Sequence, residues 1–307
     1  MNRRELINPR KVMVTVAPTG GMAGKQQNPS LPTQPEEIAE TIYNCWKLGA
    51  SIAAIHARRP DDAATCNPEI YRRINDLVRQ RCDIIINNST GGGVNGDMMR
   101  EDSDGRREND FSERLKGTEA GAEMCTFDCQ TQIVYGFGSE ALFNTSPARC
   151  DLLAESMREK GIKPEWEVMC PSHIVQDLQR LIDAGYDQPP HYVNIVLGTD
   201  RVFQGALPYT PKVLQTMIDF LPPQSIFCVS AIGPAQLPAT TLSILLGGHI
   251  RVGLEDNNYY SRGKLATNEQ LVERAVHLIR ELGCEPATPA EAREMLGLTP
   301  VKVTTPA

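Results

Sequence analysis

The 307-residue chain is 41% apolar and 22% charged, with a net charge of −7. That balance suits one large globular domain and offers no basic face for nucleic acid. No run reaches the roughly 18 apolar residues that a bilayer span needs.

Met1-Asn2-Arg3-Arg4-Glu5 leads into no apolar leader segment. Nine cysteines without a CxxC pair read as reduced thiols in a cytoplasmic protein. Cys125 and Cys129 have no second pair with which to build a zinc ribbon.

Lys11 to Val16 alternates and is rich in valine, so it reads as the first strand. It runs into the loop signal Ala17-Pro18-Thr19-Gly20-Gly21. Thr33-Gln34-Pro35-Glu36 has the form of a capping box, opening a helix that stops at Gly49. Ser51 to Ala57 is the second strand, and Asn67-Pro68 starts a helix that ends near Gln80. Asp83 to Asn88 is the third strand, followed by Ser89-Thr90-Gly91-Gly92-Gly93. Residues 96–109 are polar and charge-dense and read as a long loop, with a short helix over Phe111 to Lys116.

Glu123 to Asp128 is the fourth strand, and Ser146-Pro147 caps a helix ending at Lys160-Gly161. Strands over Glu165 to Met169, His191 to Leu197, Ser225 to Ser230 and His249 to Leu254 complete eight. Helices over Ser172 to Ala184, Thr210 to Leu221 and Pro234 to Leu246 separate them. A helix from the capping box at Thr267 follows, and a short helical extension over about 288–298 ends a single domain spanning 1–307. Strict β/α alternation at this length predicts a (β/α)8 barrel, of the TIM-barrel class. A doubly wound sheet would carry a GxGxxG turn, which residues 19–24 do not supply.

Such barrels place their chemistry at the C-terminal ends of the strands. Those ends offer Thr19 and Gly20, then His56 and Arg58, then Ser89, Gly91 and Gly92, then Asp128. The fifth offers Glu167, with Cys170 and His173 beyond it, and the eighth offers Arg251, Glu255 and Asp256. Arg251 and Glu255 alternate onto one strand face, which reads equally as an ion pair or as a site. A lone histidine such as His56 is by default a satisfied core residue. Converging with Glu255, it would become a metal donor, with His173, His249 or Asp128 open as the third ligand. The glycine turn after Ser89 can present backbone N–H groups to an oxyanion or phosphate.

Five segments together resemble the β-keto acid cleavage enzymes. They are Val14 to Gly21, Ala53 to Arg58, Ile86 to Gly93, Lys163 to Val168 and Gly248 to Asn257, with Ala287 to Arg293 extending the likeness. The resemblance implies an oligomeric, zinc-dependent barrel that converts a β-keto acid and acetyl-CoA into acetoacetate and a new acyl-CoA. It implies zinc on His56 and Glu255, and Asp256 as general base supported by Arg251 and Glu167. Ser89 would touch the substrate, and Thr19, Gly20, Arg58, Asp128, Gly91 and Gly92 would complete the binding surface. Arg251 is expected to keep Asp256 ionised, since an adjacent cation lowers a carboxyl pKa.

The chain departs from the family pattern at Ala54, where the first metal histidine belongs. It departs again at Met22, in place of an acid, and at Asp128, in place of a small hydroxyl residue. Losing one ligand of three weakens zinc binding. Two other readings therefore stay open: a metal-assisted aldolase or lyase without CoA, and a catalytically silent homologue that binds an acyl ligand.

Overall fold

A computed structural model describes residues 9–135 and 140–299. The Met1–Glu5 segment lies outside these residues. The eight barrel strands are β1 Val14–Val16, β2 Ile52–Ile55, β3 Ile85–Asn88, β4 Met124–Asp128, β5 Lys163–Val168, β6 His191–Leu197, β7 Ser225–Ala231 and β8 His249–Val252. They close in the order β5-β6-β7-β8-β1-β2-β3-β4, every pair parallel. The expected (β/α)8 barrel is the observed one.

The helices form the outer ring: α1 Pro35–Leu48, α2 Pro68–Arg79, α3 Phe111–Lys116, α4 Pro147–Glu159, α5 Gln179–Asp183, α6 Pro211–Asp219, α7 Gln236–Leu245 and α8 Asn268–Glu281. Their apolar stripes and the outward strand residues, such as Ala53, Ile55, Ile86, Phe127 and Trp166, build one continuous core. α1 stops where Gly49 takes a left-handed φ of 114°. Its capping box uses Gln34 and Glu37, one residue beyond the expected pair, because Glu36 faces outward and pairs with Arg73. Asn67 caps α2 through its side chain, and Thr267 caps α8, as their sequences imply.

Inward strand residues alternate with these outward ones. The lowest inner layer is Met13, Ile52, Ile85, Met124, Tyr192 and Cys228. A last helix, α9 Pro289–Leu296, presses Ala292 and Leu296 onto that layer. Arg293 holds it there by donating to Glu123 Oε2 at 2.7 Å and to the Asp83 carbonyl at 2.7 Å. The α9 segment thus closes the bottom of the barrel, so chemistry belongs at the top.

Residues 96–109 are more ordered than the expected loop. Met99–Glu101 and Arg107–Asn109 pair as a hairpin and join Ala141–Phe143 and Gln132–Val134 in a four-stranded sheet. Its strands are polar because several of their side chains face solvent. The sheet stands on the top face and walls one side of the mouth.

His249 begins β8 at the bottom, where Nδ1 accepts the Met13 N–H at 2.9 Å. Burial, aided by Arg10, lowers its pKa to about 3. The unfolded ring titrates near 6.5, so between those values the unfolded chain binds the extra proton and stability falls as pH falls. Replacing His249 with Asn removes that dependence. The destabilisation caused by His249→Asn should therefore be smaller at pH 5 than at pH 7, by about 2 kcal/mol. Urea unfolding at both pH values checks this, and an equal penalty at both would contradict a neutral buried ring.

Candidate active site

Arg251 is the middle inward residue of β8 and is only 5% exposed. A buried guanidinium needs acceptors on every side. Its Nε donates to Asp256 Oδ2 at 3.0 Å, one terminal nitrogen to Asp256 Oδ1 at 2.9 Å and the other to Glu167 Oε1 at 3.1 Å. Glu255 Oε1 also accepts from it. Three carboxylates from β5 and the β8 exit thus meet one cation.

Gly20 makes room for this packing. A Cβ there would lie 2.6 Å from Glu255 Cγ, and its φ is +66°. Gly253 lets the chain turn after β8, where a Cβ would meet the Ala17 carbonyl oxygen at 2.1 Å.

The three acids are not shifted alike. Burial raises Glu255, but Arg251 and His56 outweigh it and hold its carboxyl at about 2. Burial and then the Asp128 charge drive Glu167 well above the carboxylate range, against the pull of Arg251. Burial dominates Asp256 too and brings it up to about 6. The expected influence of Arg251 on Asp256 is real but smaller than burial. Asp256 is accordingly ionised at neutral pH with a basicity suited to proton abstraction. Glu165, one layer lower and fully buried, is raised to about 6 by burial and accepts from Asn87 Nδ2.

His56 follows β2 and points into the same pocket. Its Nδ1 lies 2.9 Å from the Gly92 carbonyl, which can only accept, so Nδ1 carries a hydrogen. That leaves Nε2 facing Glu255 Oε1 at 3.4 Å. The two meet as lone pair against lone pair unless a proton or another cation lies between them.

The family's three-donor zinc set does not fit this chain. Ala54 is the inward residue below His56, 1% exposed, and offers a methyl group. Arg251 already places its charge on Glu255. His249 lies at the bottom of the barrel, and His173 turns its Nδ1 to the Met169 N–H at 3.2 Å. Neither reaches the pocket, and Asp128 does not complete a set. Among the described residues, no three His, Cys, Asp or Glu side chains gather to hold an ion.

The cavity above these groups holds about 150 Å³. Ser89, Gly91, Asp128, Glu167, Arg251 and Asp256 line it together with Gly20, His56 and Glu255. Several expected contacts lie elsewhere. Arg58 donates Nε and both terminal nitrogens to the carbonyls of Gly20, Asp62 and Ala23, each at 2.8 Å, so it holds the first loop and does not face the pocket. Thr19 is fully buried behind that loop.

The glycine turn is not an open anion hole. Gly91 and Gly92 both give their N–H to Ser89 Oγ, at 3.1 and 3.2 Å, and the Gly93 N–H goes to Gly91. Gly92 contributes its carbonyl to His56 instead of a donor to substrate. Ser89 Oγ therefore accepts from both glycines and, at 3.4 Å, from the Thr126 hydroxyl, while Ser89 lines the cavity.

Sequence reading missed the apolar wall. Phe143, Met169, Val196, Phe203 and Ile232 line it, with Met22 opposite. Phe143 belongs to the small top sheet, whose short alternating runs QIV and ALF were the available signal. A larger open groove of about 850 Å³ beside Trp46, Asp83 and Cys284 lies at the bottom, away from this cluster.

The chain matches the model of the β-keto acid cleavage enzyme family over residues 11–298. It is 35% identical to the 3-keto-5-aminohexanoate cleavage enzyme of Acetoanaerobium sticklandii over 291 residues, 94% of this chain and 99% of that one. It is 31% identical to the 3-dehydrocarnitine:acetyl-CoA trimethylamine transferase of Rhizobium meliloti, covering 94% of this chain and 97% of the relative. The solved structure of ObcA without ligand shares the fold with a TM-score of 0.68 at 19% identity, covering 88% of this chain and 66% of that one.

The donor set leads to a measurable expectation. Purified protein should hold well under one zinc per chain, and Ala54→His should raise zinc toward one per chain. Elemental analysis after dialysis reads both. Stoichiometric zinc in the unaltered protein would overturn the assignment of position 54 as the lost ligand.

Proposed function

Because the chain belongs to the β-keto acid cleavage enzyme family, we propose that it is an acyltransferase that converts a β-keto acid and acetyl-CoA into acetoacetate and a new acyl-CoA. The observation that carries the residue roles is the convergence of Asp256, Glu167 and Glu255 on the buried Arg251 at the mouth of the barrel.

Asp256 is the general base. Its carboxylate takes a proton from the carbon between the keto and carboxylate groups. The resulting carbanion attacks the thioester carbonyl of acetyl-CoA, the C–S bond breaks and the CoA thiolate leaves. The thiolate then attacks the original keto carbonyl. The C–C bond to the transferred fragment breaks, giving the new acyl-CoA and the carbanion of acetoacetate. Asp256 returns its proton to that carbanion, so the base is regenerated and the step balances.

Arg251 fixes both oxygens of Asp256 and so sets the direction of its free lone pairs. Glu167, whose proton affinity burial raises, shares Arg251 and accepts from Asn194 Nδ2 at 3.1 Å. The Ser89 hydroxyl donates to a substrate oxygen. His56, held between Gly92 and Glu255, positions Glu255 at the edge of the cavity. Asp128 and the backbone at Gly20 and Gly91 shape the polar side of the cavity, and Met22 removes an acid from it. The phenyl and aliphatic wall favours a keto acid whose variable group is largely uncharged.

Names of relatives that specify acetyl-CoA support this reading over a CoA-independent lyase. No helix among the described residues is long and apolar enough to cross a membrane. We place the enzyme in the cytoplasm as a homo-oligomer of two or four chains, as its family resemblance implies.

Asp256→Asn keeps the shape but cannot accept the proton. Turnover of β-keto acid with acetyl-CoA should drop by about 10²–10⁴-fold while the circular dichroism spectrum stays that of the unaltered protein. Retention of most of the activity would remove Asp256 from the base role.

A further inference from the structure

Directly after Asp256 and Asn257 the chain forms a hairpin from Tyr259–Ser261 and Lys264–Leu265. Its root is firmly tied. Asn257 Nδ2 donates to the Tyr259 carbonyl at 2.8 Å, the Ala266 N–H donates to the Asn258 carbonyl at 2.9 Å, and Asn28 Nδ2 donates to the Ala266 carbonyl at 2.9 Å. Between this hairpin, the start of α7 and the flank of α8 lies a groove of about 640 Å³. Pro234, Leu237 and the two tyrosines give it apolar walls, and Arg262 and Arg274 lie at its edge.

Three cations gather here on a chain whose net charge is −7. Arg274 donates to the Tyr260 carbonyl at 2.6 Å and lies over the Tyr260 ring, 4.6 Å from its centre. Lys264 lies over the same ring at 5.4 Å. Neither they nor Arg262 has a carboxylate among the ion pairs of the described residues, unlike Arg73, Arg81 and Arg180. Tyr259 is 52% exposed beside them, an open aromatic face. Unneutralised arginine and lysine beside a free aromatic ring match a phosphorylated purine. The guanidinium takes phosphate in two parallel hydrogen bonds and the ring stacks on the base.

The groove is built from the chain segments that follow those lining the catalytic cavity. The Gly233 N–H donates to the Asp256 carbonyl at 2.8 Å. Ile232 lines the cavity, Pro234 lines the groove, and Asn257 bridges from Asp256. The two spaces are therefore neighbours on the top face, at the exits of β7 and β8.

We propose that this groove holds the nucleotide end of coenzyme A, with Arg262, Lys264 and Arg274 taking its phosphates and Tyr259 stacking on its adenine. This rests on the acyl-transfer reading above. The thioester lies at the opposite end of coenzyme A from the phosphates, so one cosubstrate spans both places. The outer site then contributes affinity for acetyl-CoA without touching the reacting atoms.

The test compares acetyl-CoA with S-acetylpantetheine, which carries the same thioester and lacks the nucleotide. In R262A/K264A the ratio of kcat/KM for acetyl-CoA to that for S-acetylpantetheine should fall by about tenfold. Calorimetry with adenosine 3′,5′-bisphosphate should show binding to the unaltered protein, weakened about tenfold in the double variant and weakened further by salt. An unchanged ratio, or equal or absent bisphosphate binding, would overturn the groove as the nucleotide site while acetyl-CoA turnover still stood. Absence of turnover with both thioesters and a panel of β-keto acids would instead remove the acyl-transfer reading and the groove assignment with it.

Discussion

One buried guanidinium governs the top of this barrel. Arg251 is nearly inaccessible and binds Asp256, Glu255 and Glu167 at once. Desolvating such a charge is costly unless its partners meet it with good geometry. Here they do, through strands that only barrel closure brings together, β5 and β8 being separated by β6 and β7. Breaking one partner of a buried set of this kind costs about 3–5 kcal/mol, because the remaining charges lose their compensation.

A single cation cannot neutralise three neighbouring acids equally. Glu255 takes the largest stabilisation, with help from His56, and stays ionised far below neutrality. Glu167 is raised well above the carboxylate range by burial and then by the Asp128 charge. Asp256 falls between them. The same contacts that secure the fold therefore shift three neighbouring carboxylates in different directions and by different causes, a pattern that separates acid and base roles.

Much of this was legible before any coordinates. Valine- and isoleucine-rich runs bounded by turn residues give the strands, and β6 was bounded to the residue because the run from His191 through Leu197 ends at Gly198. The small top sheet was not legible. Each of its strands is three residues long, MRE and REN are polar, and the pairing of Leu142 with Glu108 joins its two hairpins across 34 residues of chain, so only QIV and ALF carried a local signal. In the site, Arg251, Glu255 and Asp256 stood out because charges in an apolar strand demand a reason. Arg58 stood out for the same cause and proved to be a loop clamp, since carbonyl partners are invisible in a sequence. The glycine turn misled likewise: whether its N–H groups are free depends on where the Ser89 hydroxyl points. The direction of the Asp256 shift needed burial, which only the closed barrel supplies. Ala54 carried meaning only through the family likeness, and its inward place below His56 gives that departure a physical consequence.

The central claim is that burial, opposed by Arg251, poises Asp256 as a base near neutrality. The pH dependence of kcat/KM for a turned-over β-keto acid with acetyl-CoA tests it most directly. The base form is lost as protons bind, so kcat/KM should fall on acidification with a midpoint at about pH 6, tenfold per unit below it. A profile that stays level down to pH 4 would show that no carboxyl raised in this way carries the reaction.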